Sequence, residues 1–160
     1  MIEVRRATPD DAPELVRLRG VMYASFGEAA PPGPWQDTAE QYLRTRLVDV
    51  ADSVAAFVVD RPGSPGKLAA CAIGSIEYRL PGPTNPSGTT GYVFNVATDF
   101  DQRRRGYARA CVEGLLGWYR QRGVTKVDLK ASADGEPLYA SLGFARTEDP
   151  AMRLLFPAGR

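Results

Sequence analysis

The chain has 160 residues, of which 44% are hydrophobic and 24% charged, and its 20 basic and 19 acidic side chains leave a formal net charge of +1. This composition predicts a single globular domain over residues 1–160. We expect no nucleic-acid partner, because the net charge is close to zero. We expect no membrane partner either, because no apolar run approaches the ~20 residues of a membrane span. The chain has no histidine and only two cysteines, which excludes a histidine-based catalytic centre and leads us to expect no metal site.

The first part of the chain predicts one strand followed by two helices. Residues 2–6 alternate apolar and polar side chains, as a half-buried strand does, and show no signal-peptide core, so we expect a cytoplasmic location. A Thr-Pro-Asp-Asp run predicts a helix start at residue 8, and the apolar face of that helix continues to residue 25. After a loop rich in proline and glycine over residues 27–34, an aspartate and a glutamate three residues apart predict a second helix from Asp37.

The middle of the chain predicts two strands and a long loop. Strands are expected over residues 54–59 and 68–78, with a Pro/Gly-rich turn between them. A second loop, Pro81–Thr90, is long enough to be functional. Cys71 in the second strand and Cys111 on a later helix occupy predicted core positions, so we interpret both as packing residues rather than as a disulfide or a nucleophile.

The segment from residue 91 to residue 122 carries the clearest functional pattern. An apolar, β-branched strand over residues 91–98 leads through a polar turn, which ends in three consecutive arginines, to a helix that opens at Gly106. The first turn of a helix has unpaired backbone N–H groups and a partial positive charge, and Gly106 and Ala108 leave room beside them. The arginines do not stabilise the helix, because their charge opposes its dipole. The pattern therefore predicts a site for a phosphate or pyrophosphate.

The last part of the chain predicts alternating strands and helices. We expect a strand over residues 124–130, a short helix over about 134–142, and closing strands over 144–146 and 152–156. The short helix has a proline in its first turn and a glycine after its end, as helix boundaries often do. A helix of this length is unstable alone, so packing must hold it.

Two motifs in this half of the chain resemble those of the GCN5-related N-acetyltransferase (GNAT) family. The Arg-x-x-Gly-x-Ala run of residues 103–108, which follows an apolar strand, is similar to the acetyl-CoA pyrophosphate loop of that family. The Leu-Tyr-x-x-Leu-Gly-Phe run of residues 138–144 resembles a later family motif. The resemblance extends from residue 1 to about residue 156. It implies an α/β (α+β) fold with a mixed, mostly antiparallel central sheet of six or seven strands flanked by about four helices.

The resemblance implies acetyl-CoA as the cosubstrate. The pyrophosphate would lie on the main-chain amides of residues 104–108, and the pantetheine arm would pair with the main chain of the central strand at Val96 and Thr98. Ser132 stands where the family commonly has asparagine, and we count it among the cofactor-binding residues. The implied cofactor-binding residues of the loop and helix start are Arg103, Arg104, Arg105, Gly106, Tyr107 and Ala108.

The resemblance also implies the reaction, which is transfer of acetyl to a primary amine of a small molecule or protein. The amine would attack the thioester directly, through a tetrahedral intermediate and without an acyl-enzyme. Tyr139 matches the family tyrosine that faces the departing sulfur, so it is the implied general acid. Glu77, at a strand end, is a candidate base that would act directly or through water. Asp99 and Glu28 are open alternatives for that role.

The acceptor, the assembly state and two other functions stay open at this point. The irregular loops Ser25–Gln36 and Pro81–Thr90 are expected to form the acceptor pocket. A homodimer is an open expectation because many members of the family are dimers. The chain could instead be a non-catalytic acyl-CoA-binding module of the same fold. A site for another nucleotide or phosphorylated metabolite is a third interpretation, although neither a Walker-type nor a Rossmann-type glycine pattern supports it.

Overall fold

A computed structural model describes residues 1–159, which form a central sheet with helices on both faces. The strands in these residues are β1 (Arg5–Arg6), β2 (Val54–Asp60), β3 (Leu68–Tyr78), β4 (Thr89–Thr98) and β5 (Val127–Leu129). The α-helices are α1 (Ala12–Ser25), α2 (Pro34–Arg46), α3 (Tyr107–Gln121) and α4 (Glu136–Ser141). Two short 3₁₀ turns, Pro9–Asp11 and Phe100–Gln102, precede α1 and α3.

The strands lie in the order β1-β2-β3-β4-β5, and the sheet is mixed. The pairings from β1 to β4 are antiparallel, whereas β4 and β5 are parallel and pair only over Gly91–Val93 and Val127–Leu129. The register between β3 and β4 shifts between Ile73 and Gly74, which leaves Phe94 as an extra, unpaired residue of β4. Such a bulge bends its strand and redirects the residues that follow.

The core has two layers, one on each face of the sheet. Helices α1 and α2 cover one face, where Leu15 and Leu18 are fully buried in the core that α1 forms with β3 and β4. Helix α3 covers the other face, because its apolar positions recur every three or four residues. Cys71 and Cys111 are both fully buried, which confirms their predicted core positions. Among residues 1–159, none of the helices combines the length and the hydropathy that a bilayer crossing requires.

The expectation of six or seven strands in a mostly antiparallel sheet needs correction, since residues 1–159 form a mixed five-stranded sheet. The predicted closing strands over 144–146 and 152–156 do not pair with β5. One reason is that β5 is only three residues long, and another is that Pro150 interrupts the segment that would return to it. The apolar side chains of Met152 and Phe156 are accordingly 93% and 82% exposed.

Smaller differences concern the ends of elements in the first half of the chain. The strand predicted over residues 2–6 is shorter in the structure, where β1 consists of two residues. The second helix begins at Pro34 and not at Asp37, because proline is well suited to the first helical position. The strand predicted over residues 68–78 matches β3 at both ends.

Candidate functional site

The carboxyl-terminal half of β4 presents main-chain groups without a strand partner on the side away from β3. The Asp99 amide donates to the Ala69 carbonyl at 2.8 Å, so Asp99 and every second residue before it, back to the bulge in β4, form hydrogen bonds with β3. By that alternation, the N–H and C=O groups of Val96 and Thr98 point away from β3. Because β5 pairs with β4 only as far as Val93, a gap in the sheet faces these groups.

The turn before α3 presents a row of unpaired backbone N–H groups. Arg104 and Gly106 adopt left-handed backbone conformations, with φ of 63° and 81°. Left-handed residues in such a turn direct successive N–H groups into one concavity, which is a general arrangement for binding anions. Within residues 1–159, the amides from 103 to 109 donate to no backbone carbonyl, and Ala110 makes the first helical bond, to Gly106.

The gap and the turn open into one cavity of about 290 Å³, which we call the β4–β5 cavity. It lies between β4, the start of α3, the end of α1 and the segment that leads into α4. All but two of the predicted site residues line it, namely Val96, Thr98, Arg103, Arg104, Gly106, Tyr107, Ala108, Ser132 and Tyr139. Arg105 is not among its lining residues, and Glu77 lies in a different cavity.

The three consecutive arginines are all exposed, and Arg103 and Arg104 line the β4–β5 cavity. The Arg103 guanidinium donates to the Thr98 carbonyl at 3.4 Å and lies 5.1 Å from the centroid of the Phe100 ring. The side chains of Arg104 and Arg105 take part in none of the hydrogen bonds or ion pairs formed among residues 1–159. The cavity therefore carries positive charge that a bound anion could neutralise.

Tyr139 is buried, yet its hydroxyl group has no partner among residues 1–159. Helix α4 places it against Phe144, with the ring centroids 5.9 Å apart and edge to face. Burial raises the pKa of Tyr139 to about 12. A neutral phenol that reaches a cavity without an internal partner can donate a hydrogen bond to a bound molecule.

Ser132 lines the same cavity while also shaping the turn into α4. Its hydroxyl oxygen accepts from the Gly135 amide at 3.2 Å, and its carbonyl accepts from the amides of Gly135 and Glu136. These bonds hold the turn that brings Tyr139 to the cavity. The hydroxyl hydrogen of Ser132 is left free to donate.

A larger cavity of about 1000 Å³ lies between the sheet, α1 and α2, and we call it the α1–α2 cavity. The first predicted acceptor loop contributes Ala29, Ala30, Pro31 and Trp35 to it, whereas no residue of Pro81–Thr90 lines it. That second loop is instead closed on itself, since the Asn85 side chain donates to the Thr89 carbonyl at 2.9 Å. The walls are rich in aromatic side chains, namely Tyr23, Trp35, Tyr42, Tyr92 and Phe94, and the charged lining residues are Arg19 and Glu77.

The two cavities lie next to each other along β4, and we call residues 94–96 their meeting point. Phe94 lines the α1–α2 cavity and Val96 lines the β4–β5 cavity. Asn95 lies between them and is 1% exposed, with its side-chain oxygen 3.4 Å from the Arg19 guanidinium. A molecule in each cavity could therefore approach the other near residues 94–96.

Glu77 lies on the wall of the α1–α2 cavity, at some distance from this meeting point. Its carboxylate accepts from Arg79 at 2.8 Å, and both side chains are about half exposed. Glu77 is four residues along β3 from Ile73, which pairs with Asn95. Four residues of strand span roughly 13 Å, so a role for Glu77 at residues 94–96 requires intervening water.

The other two candidate bases are placed less favourably. Asp99 is 8% exposed and accepts hydrogen bonds from Arg17 at 2.7 Å and Arg61 at 3.0 Å, so its oxygens are already occupied. Glu14 completes this buried cluster by accepting from Arg17 and from the Leu68 amide. Glu28 is exposed and lines neither cavity.

Tyr119 supports the site from behind, although no sequence motif marks it. Its hydroxyl oxygen lies 3.1 Å from the carbonyl oxygens of both Ser75 and Tyr92, beside the β4 bulge. A Cβ atom at Gly74 would lie 2.1 Å from that hydroxyl, and one at Gly91 would lie 2.7 Å from the ring. The only sequence indication was the pair of glycines inside strands, which often marks a close approach. Arg19 carries no motif either.

Metal ligands are not assembled in the described part of the chain. No group of three or more histidine, cysteine, aspartate or glutamate side chains within residues 1–159 is arranged to hold a metal ion. Arginine side chains instead bind the carboxylates of Asp99 and Glu77.

Comparison with known proteins identifies relatives of this architecture. A family model described as the acetyltransferase (GNAT) family matches residues 21–144. Among curated proteins, N-acetyltransferase 8B of Rattus norvegicus is 28% identical over an alignment of 123 residues that covers 71% of this chain. The chain spans about half of that relative, 52% of its length.

Solved structures share the fold over nearly the whole chain. A predicted acetyltransferase from Clostridium acetobutylicum, solved with acetyl-CoA, superposes with a TM-score of 0.82 at 23% identity and covers 96% of each chain. A GCN5-related N-acetyltransferase from Ralstonia eutropha gives a TM-score of 0.78 at 24% identity, over 96% of this chain and 99% of that one. Glucosamine-6-phosphate N-acetyltransferase from Arabidopsis thaliana gives 0.76 at 18% identity, over 98% and 99%.

Proposed function

Because the chain belongs to the acetyltransferase (GNAT) family, we propose that it transfers acetyl from acetyl-CoA to a primary amine. The observation that carries the proposal is the convergence of the unpaired amides of residues 103–109, the open edge of β4 and the Tyr139 hydroxyl on one cavity. These three features match the chemically distinct parts of acetyl-CoA, which are a diphosphate, a peptide-like arm and a thioester. The relative solved with acetyl-CoA supports the same choice of cosubstrate.

The diphosphate would lie in the turn before α3. The backbone concavity at Arg104 and Gly106 supplies hydrogen bonds to its oxygens, and the helix dipole adds attraction worth about 0.3–1 kcal/mol. Arg103 and Arg104 add positive charge at the cavity, and the adjacent Arg105 adds to the local field; all three side chains are exposed. The pantetheine arm would then extend β4 as an added strand, with its amides on the main chain of Val96 and Thr98.

The reaction would occur where the two cavities meet. The amine lone pair attacks the thioester carbonyl carbon, a C–N bond forms, the C–S bond breaks, and the sulfur leaves as a thiolate while the amine loses a proton. A main-chain N–H of β4 near Val96 would stabilise the oxyanion, and one such donor is typically worth ~2.7–4 kcal/mol of barrier. No acyl-enzyme is needed, and the buried Cys111 is not available to form one.

Tyr139 would donate a hydrogen bond to the leaving thiolate. Complete proton transfer from a phenol of pKa about 12 to a thiolate of pKa ~8.5 is uphill by about 3.5 pKa units, or roughly 5 kcal/mol. We therefore assign Tyr139 the stabilisation of the departing sulfur, with the amine proton reaching the thiolate in the end. Glu77 would relay that proton through water, since it lies roughly 13 Å of strand from the meeting point.

Turnover of Tyr139→Phe tests this proposal. Release of free CoA thiol is followed with acetyl-CoA and a panel of primary amines. The variant should lose about 10- to 100-fold in kcat, because the thiolate loses its donor, while its Kd for acetyl-CoA stays within about 2-fold. Tyr78→Phe, an exposed tyrosine that lines neither cavity, is the matched control and should behave as wild type.

Two outcomes would contradict the proposal. Equal losses in kcat and in acetyl-CoA affinity for Tyr139→Phe would remove the assigned role of the hydroxyl. Binding of acetyl-CoA by the wild type without turnover of any amine would instead favour a non-catalytic acyl-CoA-binding module of the same fold.

A further inference from the structure

Arg19 is a cation without an anionic partner on the wall of the α1–α2 cavity. Its guanidinium donates to the Tyr23 hydroxyl at 2.9 Å and to the Asn95 side-chain oxygen at 3.4 Å, and it stacks 5.0 Å from the centroid of the Tyr23 ring. It takes part in none of the ion pairs formed among residues 1–159. A guanidinium has five N–H donors, so three remain for a bound molecule.

The other groups of this cavity do not supply the missing anion. Glu77 is the one carboxylate among the described lining residues, and it is bound by Arg79. The remaining surface is mostly aromatic and aliphatic, with Trp35 set edge to face on Tyr23. A partly buried cation in apolar surroundings is costly unless an anion pairs with it, and arginine is suited to grip a carboxylate with two parallel bonds.

We propose that the acceptor is an α-amino acid with a large apolar side chain, whose carboxylate binds Arg19 and whose side chain fills the aromatic part of the α1–α2 cavity. This inference rests on the proposed acetyl transfer and names its acceptor. The volume of about 1000 Å³ accommodates such a side chain. A polycationic amine is disfavoured, because Arg19 repels it.

The position of Arg19 explains why the acceptor would carry its amine on the carbon next to the carboxylate. Arg19 lies against Asn95, between the residues at which the two cavities meet. In an α-amino acid the nitrogen is only roughly 2.5 Å from the carboxyl carbon, as the bond lengths at Cα require. A carboxylate held by Arg19 therefore keeps the amine beside β4, near the main chain that would orient the thioester. The products would be the N-acetyl amino acid and free CoA.

The test compares amines that differ only in the carboxylate. Thiol release from acetyl-CoA is measured with phenylalanine, phenylalaninamide and phenethylamine, for the wild type, Arg19→Gln and Arg44→Gln. Arg44 lies on α2 outside the cavity lining and serves as the matched control. We expect Arg19→Gln to lower kcat/KM for phenylalanine by about 10- to 100-fold, as loss of a charged hydrogen-bonded pair does, and to leave the two amines without a carboxylate within about 2-fold. Ratios between variants for one amine cancel the differing basicities.

The outcomes separate this inference from the proposed function. If Arg19→Gln changes kcat/KM for all three amines alike, or leaves it unchanged for phenylalanine, or if the wild type acetylates the other two amines but not phenylalanine, the inference is overturned while acetyl transfer stands. If no amine is acetylated, the affinity of phenylalanine for the CoA-loaded protein is measured by calorimetry, for the wild type and for Arg19→Gln. Binding that Arg19→Gln weakens would support the carboxylate site, and absence of binding would overturn it.

Discussion

At the scale of single residues, two buried tyrosines differ in what their hydroxyl groups contact. The Tyr119 hydroxyl lies 3.1 Å from two main-chain carbonyl oxygens, whereas the Tyr139 hydroxyl has no partner among residues 1–159. Burial raises the pKa of both groups, and that of Tyr139 reaches about 12. Both phenols are therefore neutral at physiological pH, and the hydroxyl partners alone distinguish a structural tyrosine from one available to a ligand.

Glu14 allows a residue-scale prediction about stability and pH. Burial pushes the pKa of Glu14 up, but hydrogen bonds from Arg17 and the Leu68 amide outweigh burial and hold that pKa below its ordinary value of 4.5. A carboxylate with a lowered folded pKa adds stability above its unfolded pKa, and loses it as pH falls through the folded value. We expect Glu14→Gln to flatten the decrease in the free energy of unfolding from neutral pH to about pH 3, measured by urea titration.

Glu113→Gln is the matched control for that experiment. Glu113 pairs with Arg109 on the exposed surface of α3, with the two side chains 54% and 46% exposed. Such surface pairs contribute about 0–1 kcal/mol, so the control should keep the wild-type dependence on pH. If Glu14→Gln also keeps it, the buried cluster does not contribute to acid sensitivity.

At the scale of secondary-structure elements, the site depends on three features of β4 and its neighbours. The bulge at Phe94 redirects the strand, the short β5 leaves the edge at Val96 open, and α3 begins with unpaired amides. Tyr119 links two of these features, since it projects from α3 and contacts the carbonyls beside the bulge. Gly74 and Gly91 make this contact possible, because any larger residue would clash with Tyr119.

Tyr119→Phe should therefore weaken the fold around the bulge. Removal of the hydroxyl deletes its hydrogen bond to the main chain at Ser75 and Tyr92, which costs about 0.5–1.5 kcal/mol in the free energy of unfolding. Urea unfolding would measure this loss, with Tyr78→Phe at the exposed end of β3 as the control. A change below about 0.5 kcal/mol for Tyr119→Phe, the range of ordinary surface substitutions, would show that the contact does not stabilise the bulge.

At the scale of the whole molecule, the sequence predicted best the parts that depend on local patterns. Short-range periodicity and the positions of glycine and arginine predict three features: the limits of β3, the strand–turn–helix unit around residue 106, and the burial of the two cysteines. Family membership followed from the same unit and from the motif at residues 138–144.

The remaining features depend on contacts between distant segments. Arg19 meets Asn95 across 76 positions, and the register shift at Phe94 depends on how two strands pair. No local pattern encodes either of them. The predicted closing strands failed for the same reason, because an apolar segment such as Met152–Phe156 forms a strand only where a partner edge is long enough.

The molecule as a whole places two cavities on either side of one strand, so that two molecules could meet near residues 94–96. The account depends first on what occupies the β4–β5 cavity. If the unpaired amides before α3 bind the diphosphate of CoA, the thioester is directed along β4 towards Tyr139, and the acceptor enters from the other side. Without that contact, the proposed acetyl transfer would lose its basis, and only the description of the fold would stand.

Calorimetric titration with CoA and with pantetheine, which lacks both the phosphates and the adenosine, tests this claim most directly. The wild type should bind CoA at least about 100-fold more tightly than pantetheine, because several charged hydrogen bonds are lost without the diphosphate. Gly106→Val should abolish this difference in affinity, because residue 106 has a left-handed φ of 81° that valine rarely adopts. Gly117→Ala is the control and should keep the difference, because residue 117 faces open space on α3. Circular dichroism would check that both variants fold. Equal affinity of the wild type for CoA and pantetheine, or a folded Gly106→Val that binds CoA as the wild type does, would contradict the account.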